Sequence, residues 1–152
     1  MIVGGSSPER VTRLVISEGV TINYLDIRIS AGFPSPALDF SENDIDLIRE
    51  LGLDKPSVYI MRVDGKSMEG KDIYIPNGAF ISVDRSIKAV AGHVVLAILN
   101  QEFTIKTLLR KNGRYVLQPE NPDFKPIIVS GDDELIIWGV VDVVFYRVGR
   151  KL

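Results

Sequence analysis

The stretch "HVVLAILNQEFTIKTLLRKNGRYVLQP", residues 93–119, decides the fold class. It contains three runs rich in β-branched and apolar residues, and a short polar connection separates each run from the next. The connections are "LNQE" (99–102) and "KNG" (111–113), and the Asn-Gly pair in the second tolerates the positive φ angles of tight hairpins. The stretch therefore predicts neighbouring antiparallel strands.

The same pattern continues on both sides of this stretch. Three further runs from Ser57 onward have strand composition, which brings the prediction to six strands: "SVYIMRV" (57–63), "AFISVD" (79–84) and "ELIIWGVVDVVFYRV" (134–148). Ahead of them, "SENDIDLIRELG" (41–52) offers Ser41 as a helix cap, apolar residues at helical spacing and Gly52 as a stop. This segment predicts one short amphipathic helix.

Residues 1–40 differ from the rest of the chain. They mix Gly, Ser, Pro and isolated apolar residues without sustained periodicity, which is typical of an extended arm. We therefore expect an N-terminal arm over residues 1–40 and a single compact domain over residues 41–152. The predicted fold class is mainly β, antiparallel, with one short helix.

Composition excludes several classes of protein. The 152 residues are 45% hydrophobic and 25% charged, as in an ordinary globular protein of one domain. Lys and Arg total 18 against 20 Asp and Glu, so the net charge of -2 supplies no broad positive field for strong direct DNA binding. Without cysteine there is no disulfide framework and no thiol nucleophile. Neither a secretory signal nor a membrane span is indicated, so we expect a cytoplasmic protein that does not enter a membrane.

Most familiar catalytic signatures are also missing from the sequence. The chain has one histidine, His93, at the start of an apolar run, and we interpret it as a partly exposed strand residue. The carboxylates show no metal-ligand spacing, and neither G-x-G-x-x-G nor G-x-x-x-x-G-K-[ST] occurs. We therefore expect no metal and no cofactor.

A serine with a lysine as its base remains as candidate chemistry, because this pairing needs no histidine. Ser67 lies in "VDGKSMEGKDI" beside Gly65, where a bend can project its hydroxyl, although such a stretch is also typical of an ordinary turn. Lys106 lies in "EFTIKTLL", where alternation places Thr104 and Lys106 on one face of the strand. A solvated lysine is the simpler interpretation of that strand. Catalysis would require a buried amine with a lowered pKa.

Three motifs in order carry a resemblance to a known family: "AGFPSPALDF", "GKSMEG" and "EFTIKTL". Together with "IPNGAFISVDRSIKAVAGHVVLAILNQEFTIKTL" and "QPENPDFKPIIVSGDDELIIWGVV", they are similar to the LexA/UmuD family of self-cleaving serine-lysine peptidases, and to its UmuD-like members in particular. The similarity runs from about Ile29 to Arg147. It implies the compact antiparallel β fold of the LexA/UmuD C-terminal domain.

The resemblance implies roles for the candidate residues. Ser67 would attack a peptide carbonyl, Lys106 would take the serine proton and Thr104 would steady the amine. Backbone amides at Ser67 and Lys66 would stabilise the oxyanion. The chain departs from the family pattern at Lys66 and at "GHVV" (92–95), and the charge of Lys66 leaves open how the pKa of Lys106 is tuned.

The resemblance also implies that the protein cuts its own arm between Ala31 and Gly32. Phe33 and Ser35 each precede proline and are pushed toward the extended geometry that a protease cleft accepts. Ile29 would point the same way as Ala31 and anchor the arm in the cleft. A proline-stiffened spacer is the competing interpretation of this segment.

Partners follow from the resemblance alone. It implies cleavage stimulated by a RecA filament on single-stranded DNA, a homodimeric product, and service to an error-prone Y-family polymerase of the UmuC type. A LexA-like repressor is a competing hypothesis, but the near-neutral arm lacks the basic footprint of a DNA-binding domain, and the residues before the cut are few for one. A noncatalytic interaction module of the same fold is a third hypothesis. A signal-peptidase-like enzyme is a fourth, and it would need a membrane anchor.

Overall fold

A computed structural model of the chain describes residues 31–32 and 46–149. Residues 55–149 belong to one compact unit, and residues 31–32 and 46–54 belong to a second. The predicted arm, its boundary near residue 40 and the predicted helix cap Ser41 lie outside the described residues, apart from Ala31 and Gly32. No helix of the described residues is long and apolar enough to cross a membrane.

Within its described residues, the larger unit is built on a seven-stranded sheet. The strands are β1 (Val58–Arg62), β2 (Phe80–Asp84), β3 (Val94–Leu99), β4 (Glu102–Lys111), β5 (Arg114–Gln118), β6 (Ile127–Ile128) and β7 (Leu135–Phe145). Their order across the sheet is β1-β2-β7-β3-β4-β5-β6, and each neighbouring pair is antiparallel. This confirms the mainly antiparallel β fold.

The last strand, β7, lies between β2 and β3 and joins the two halves of the sheet. It pairs with β2 through Val83 and Val141 and with β3 through Leu96 and Gly139. Both pairings contain a register shift, which is where a β-bulge bends a sheet. A Cβ at Gly139 would lie 2.6 Å from Val83 Cγ1, so a glycine is needed for this close approach.

Apolar side chains are buried in two clusters. Alternation along β3 sends Leu96 into one cluster, and Val95 and Ala97 into the other. The first contains Val63, Met68, Ile75, Ala79, Ile81, Val83 and Leu96, and the second contains Val95, Ala97, Leu108, Leu117 and Val140. A strand buried on both faces reads as a continuous apolar run, as "HVVLAIL" does.

The smaller unit contains the short helix α1 (Leu47–Glu50). Asp46 is its N-cap and accepts a hydrogen bond from the Arg49 N–H. Gly52, which the sequence predicted as the stop, follows the C-cap at φ 66°, and Leu53 N–H donates to Ile48 O as in a Schellman ending. The predicted helix is therefore present, but the described helix begins at Leu47 with Asp46 as its cap.

Residues 55–149 contain seven strands where six runs were predicted from Ser57 onward, and the missed strand is β6. Ile127 and Ile128 are too short a run to show alternation, and they pair with Leu117 and Val116 at the edge of β5. Only this pairing identifies them as a strand.

His93, which the sequence predicted as a partly exposed strand residue, lies one residue before β3 and is half-buried. Its Nδ1 accepts a hydrogen bond from the Val90 N–H at 3.3 Å.

Candidate active site

Ser67 lies in the connection between β1 and β2, which hydrogen bonds hold in a compact shape. At its base, the Val63 N–H donates to Ala79 O at 2.8 Å, and the Gly78 N–H donates to Val63 O at 2.9 Å. Gly65 has φ +108°, a conformation that L side chains rarely adopt, and its N–H donates to Asn77 Oδ1 at 2.8 Å. The bend beside Ser67 that the sequence indicated is thus built around a glycine.

Lys106 lies in the middle of β4 and is only 8% exposed. Across the ladder it is paired with Val95, and Thr104 is paired with Ala97, both of which are fully buried. Directly opposed residues share a face of the sheet, so the amine lies on an apolar face. The solvated lysine that was the simpler interpretation of this strand is therefore wrong.

Three oxygen atoms surround the Lys106 amine. Its Nζ lies 3.0 Å from Ser67 Oγ, 2.7 Å from Thr104 Oγ1 and 2.9 Å from the Ile105 carbonyl oxygen. A neutral amine has two N–H donors and one lone pair, so it can donate to Thr104 and Ile105 and accept the proton of Ser67. The structure thus brings together three of the residues selected from the sequence.

Burial lowers the pKa of the Lys106 amine below the ordinary value of a lysine. The physical cause is desolvation, which disfavours the charged form. The side chain of Lys66, whose charge raised the question of how this pKa is tuned, is exposed.

A cleft of about 750 Å³ opens at the serine and the lysine. Its walls include residues 64–66 and a set of mainly apolar residues. The apolar lining residues include Met61, Val63, Ile81, Leu96, Phe103, Phe124 and Ile127. A groove of this size and lining can hold an extended segment of chain with apolar side chains beside the Ser67 hydroxyl.

The predicted cleavage residues are described only in part. Ala31 and Gly32 are exposed and lie in a bend, whereas Ile29 lies outside the described residues. The roles of all three therefore stay predictions.

Comparison with known proteins shows the family to which this chain belongs. A family model described as Peptidase S24-like matches residues 23–142. The protein belongs to the Peptidase S24-like family. The resemblance to the LexA/UmuD peptidases is thereby confirmed at the level of the family.

The relatives of this Peptidase S24-like protein differ in how much of their own length the chain covers. Protein MucA of Salmonella typhimurium is 42% identical over 115 residues, which cover 75% of this chain and 77% of MucA. Protein ImpA of the same organism is 35% identical and is covered over 80% of its length. The LexA repressor of Bordetella pertussis is 39% identical over 74% of this chain, which spans only 51% of the repressor.

Sequence reasoning missed a second segment, residues 120–121, that contacts the loop carrying Ser67. Asn121 follows β5 and contacts the backbone of Ser67, and its neighbour Glu120 packs against Gly70. No local pattern couples residues more than 50 positions apart in the chain. The one signal available was the stretch "QPENPDFKPIIVS" within the family resemblance, which assigns no role to a single residue.

Gly70→Ala should lower the free energy of unfolding by about 1–3 kcal/mol, as forced overpacking usually does. A Cβ at Gly70 would lie 2.6 Å from Glu120 Cβ and 2.8 Å from the backbone oxygens of Glu120 and Ile73, so the loop or its neighbour must move. Urea unfolding measures the change. Gly131→Ala is the matched control, because a Cβ there meets no atom within 4 Å. Equal stability of the two variants would contradict the close approach.

Proposed function

We propose that this Peptidase S24-like protein is a self-cleaving serine peptidase with Ser67 as nucleophile and Lys106 as base. The observation that carries the proposal is the 3.0 Å contact between Lys106 Nζ and Ser67 Oγ, made by an amine that is 8% exposed and whose pKa burial lowers. A base must be within hydrogen-bond reach of the proton it takes, and it must be deprotonated near the working pH.

The proposed reaction uses these groups in two steps. Neutral Lys106 takes the Ser67 proton as the serine oxygen bonds to the substrate carbonyl carbon, and the π electrons move onto the carbonyl oxygen. The oxyanion then collapses, the carbon–nitrogen bond breaks and Lys106 returns the proton to the departing amine. In the second half, Lys106 takes a proton from water as the water oxygen bonds to the ester carbonyl carbon. The bond from that carbon to Ser67 Oγ then breaks, and Lys106 returns the proton to Ser67 Oγ. Backbone N–H groups of Ser67 and Lys66 supply donors to the oxyanion.

The substrate in this proposal is the protein's own arm, residues 1–40, cut between Ala31 and Gly32. Both residues are exposed, and the prolines that follow favour the extended backbone that a cleft binds. Ile29 would supply the apolar anchor ahead of the cut, in keeping with the apolar lining of the cleft. Attachment of the arm raises its effective concentration, so a slow serine can cut its own chain without being a general protease.

The biological setting is proposed from family membership and from the relatives named MucA and ImpA. We place the protein in the cytoplasm, in the mutagenic branch of the SOS response to DNA damage. A RecA filament on single-stranded DNA would stimulate the cut. The product would form a homodimer and serve a Y-family polymerase of the UmuC type in translesion synthesis, with no cofactor, no metal and no strong direct DNA contact.

Incubation at pH 9–10 followed by mass spectrometry tests the proposal. The intact protein should separate slowly into fragments 1–31 and 32–152, with a new N-terminus at Gly32. Ser67→Ala should yield neither fragment. Ser86→Ala, which removes an exposed hydroxyl bound to Asp84, should behave as the wild-type protein does. Fragments from Ser67→Ala, or a cut at another bond, would overturn the assignment.

A further inference from the structure

Asn121 holds the backbone on both sides of the Ser67 Cα. Its side-chain Nδ2 donates to Lys66 O at 2.9 Å, and its backbone N–H donates to Ser67 O at 3.0 Å. Its Oδ1 accepts the Asp123 N–H at 3.0 Å, so the Nδ2 end of the amide faces the connection between β1 and β2 that carries Ser67, called the serine loop below. One residue therefore fixes the carbonyls of two consecutive peptide groups at the nucleophile.

The bond to Lys66 O has a consequence for the Ser67 N–H. A trans peptide group is planar, so its C=O and N–H point in opposite directions. Lys66 O and the Ser67 N–H belong to the same peptide group, and the Glu69 N–H also donates to that oxygen, at 3.1 Å. Asn121 and the Glu69 N–H therefore hold together the peptide group that carries the Ser67 N–H, and Asn121 is the only one of the two donors that belongs to a side chain. Within the described part of the chain, this N–H donates no hydrogen bond of its own.

Glu120, the residue before Asn121, links this segment to β4, the strand that carries Lys106. The Thr107 hydroxyl donates to Glu120 Oε1, and Thr107 is the neighbour of Lys106 in β4. Glu120 also packs so closely on Gly70 that no Cβ fits there. Residues 120 and 121 therefore connect the serine loop to β4.

We propose that Asn121 is a positioning residue that aims the Ser67 backbone N–H at the oxyanion. The inference rests on the proposed peptidase function. Asn121 forms no hydrogen bond with Lys106 or with the reacting hydroxyl among the described residues, so its effect falls on stabilisation of the transition state. Loss of a whole oxyanion donor costs about 10²–10³-fold in rate, and a misdirected donor should cost about 10–100-fold.

The test is a pH–rate profile of self-cleavage for the full chain and its variants. In Asn121→Ala the rate at the high-pH plateau should fall about 10–100-fold, whereas the midpoint pH, which reports Lys106, should not move. Asn121→Asp keeps the shape and the acceptor for the Asp123 N–H but has no donor for Lys66 O, so its plateau should fall at least as far. If Asn121→Ala fails to fold, the plateau rate of Asn121→Asp tests the proposal instead.

Asn100→Ala is the matched control. Asn100 also bridges two distant segments, because its Nδ2 donates to Asp133 at 2.8 Å and its Oδ1 accepts from the Glu134 N–H at 2.9 Å. It should lose thermal stability, both from the two lost hydrogen bonds and from alanine at a φ of 48°, and it should keep the wild-type plateau.

Two results would overturn the inference. One is a wild-type plateau in both Asn121 variants. The other is a midpoint shift in Asn121→Ala, which would show that Asn121 maintains the contact between Ser67 and Lys106 instead. Failure of the wild-type protein to cut itself, or cutting by Ser67→Ala, would refute the peptidase function itself, and that result is separately recognisable.

Discussion

Lys106→Met should cut itself at least about 10³-fold more slowly than the wild-type protein, and it should also be more stable at pH 7. The rate falls because the base is gone, and a serine hydroxyl without a base is a poor nucleophile. Methionine fills a similar volume in the apolar site that the 8% exposed lysine now occupies. The loss of function and the gain of stability have one cause, which is an amine kept out of water.

The stability gain should depend on pH with a definite sign. Burial lowers the folded-state pKa of Lys106, so the wild-type protein carries the full penalty below that lowered value. Between the folded value and the unfolded value near 10.4, wild-type stability relative to the variant should rise by about 1.4 kcal/mol per pH unit. Urea unfolding at a series of pH values from 7 to 10.5 measures the difference.

Lys111→Met is the control for this experiment, since Lys111 ends the same strand but is exposed. It should cut itself at the wild-type rate, and its stability should follow the wild type at every pH. A Lys106→Met variant that still cleaves would refute the role of the lysine. A stability difference independent of pH would show that Lys106 is not desolvated.

The wild-type cleavage rate should rise about tenfold for each pH unit below the pKa of Lys106 and level off above it. The slope follows because the neutral fraction of an amine grows tenfold per unit below its pKa. Since burial lowers this pKa, the midpoint should lie below the value near 10.4 of an ordinary lysine. Cleavage is followed by gel densitometry, and circular dichroism over the same range checks that the fold persists.

An independent titration should give the same midpoint. Lysine labelled with ¹³C at Cε reports its protonation by NMR, and the signal missing from Lys106→Met identifies Lys106. A midpoint at or above that of the exposed lysines would contradict the mechanism, as would a cleavage rate that does not change with pH.

Local sequence patterns predicted much of this fold for identifiable reasons. The hairpin around Asn112 and Gly113 was readable because both residues have positive φ, which few other pairs tolerate. Gly52 ended its helix for the same reason. The two-residue strand β6 escaped detection because its identity depends on pairing with β5, and two residues cannot display a period.

The candidate site was readable from the sequence to a lesser degree. Alternation placed Thr104 and Lys106 on one face, and the hydrogen bond between them agrees with it. It could not say whether that face met water or apolar neighbours. The interposition of β7 between β2 and β3 was likewise not readable, because strand order depends on contacts between residues far apart in the chain.

The sequence by itself determined the mainly β class, the hairpin turns and the residue types capable of serine-lysine chemistry, since each is encoded within a few neighbouring residues. Tertiary structure alone decided that Lys106 is buried, that its amine lies 3.0 Å from a serine 39 positions away, and that Asn121 holds that serine's backbone. The reason is physical. Desolvation and hydrogen-bond geometry depend on which distant atoms share a volume, and that is fixed only when the sheet assembles.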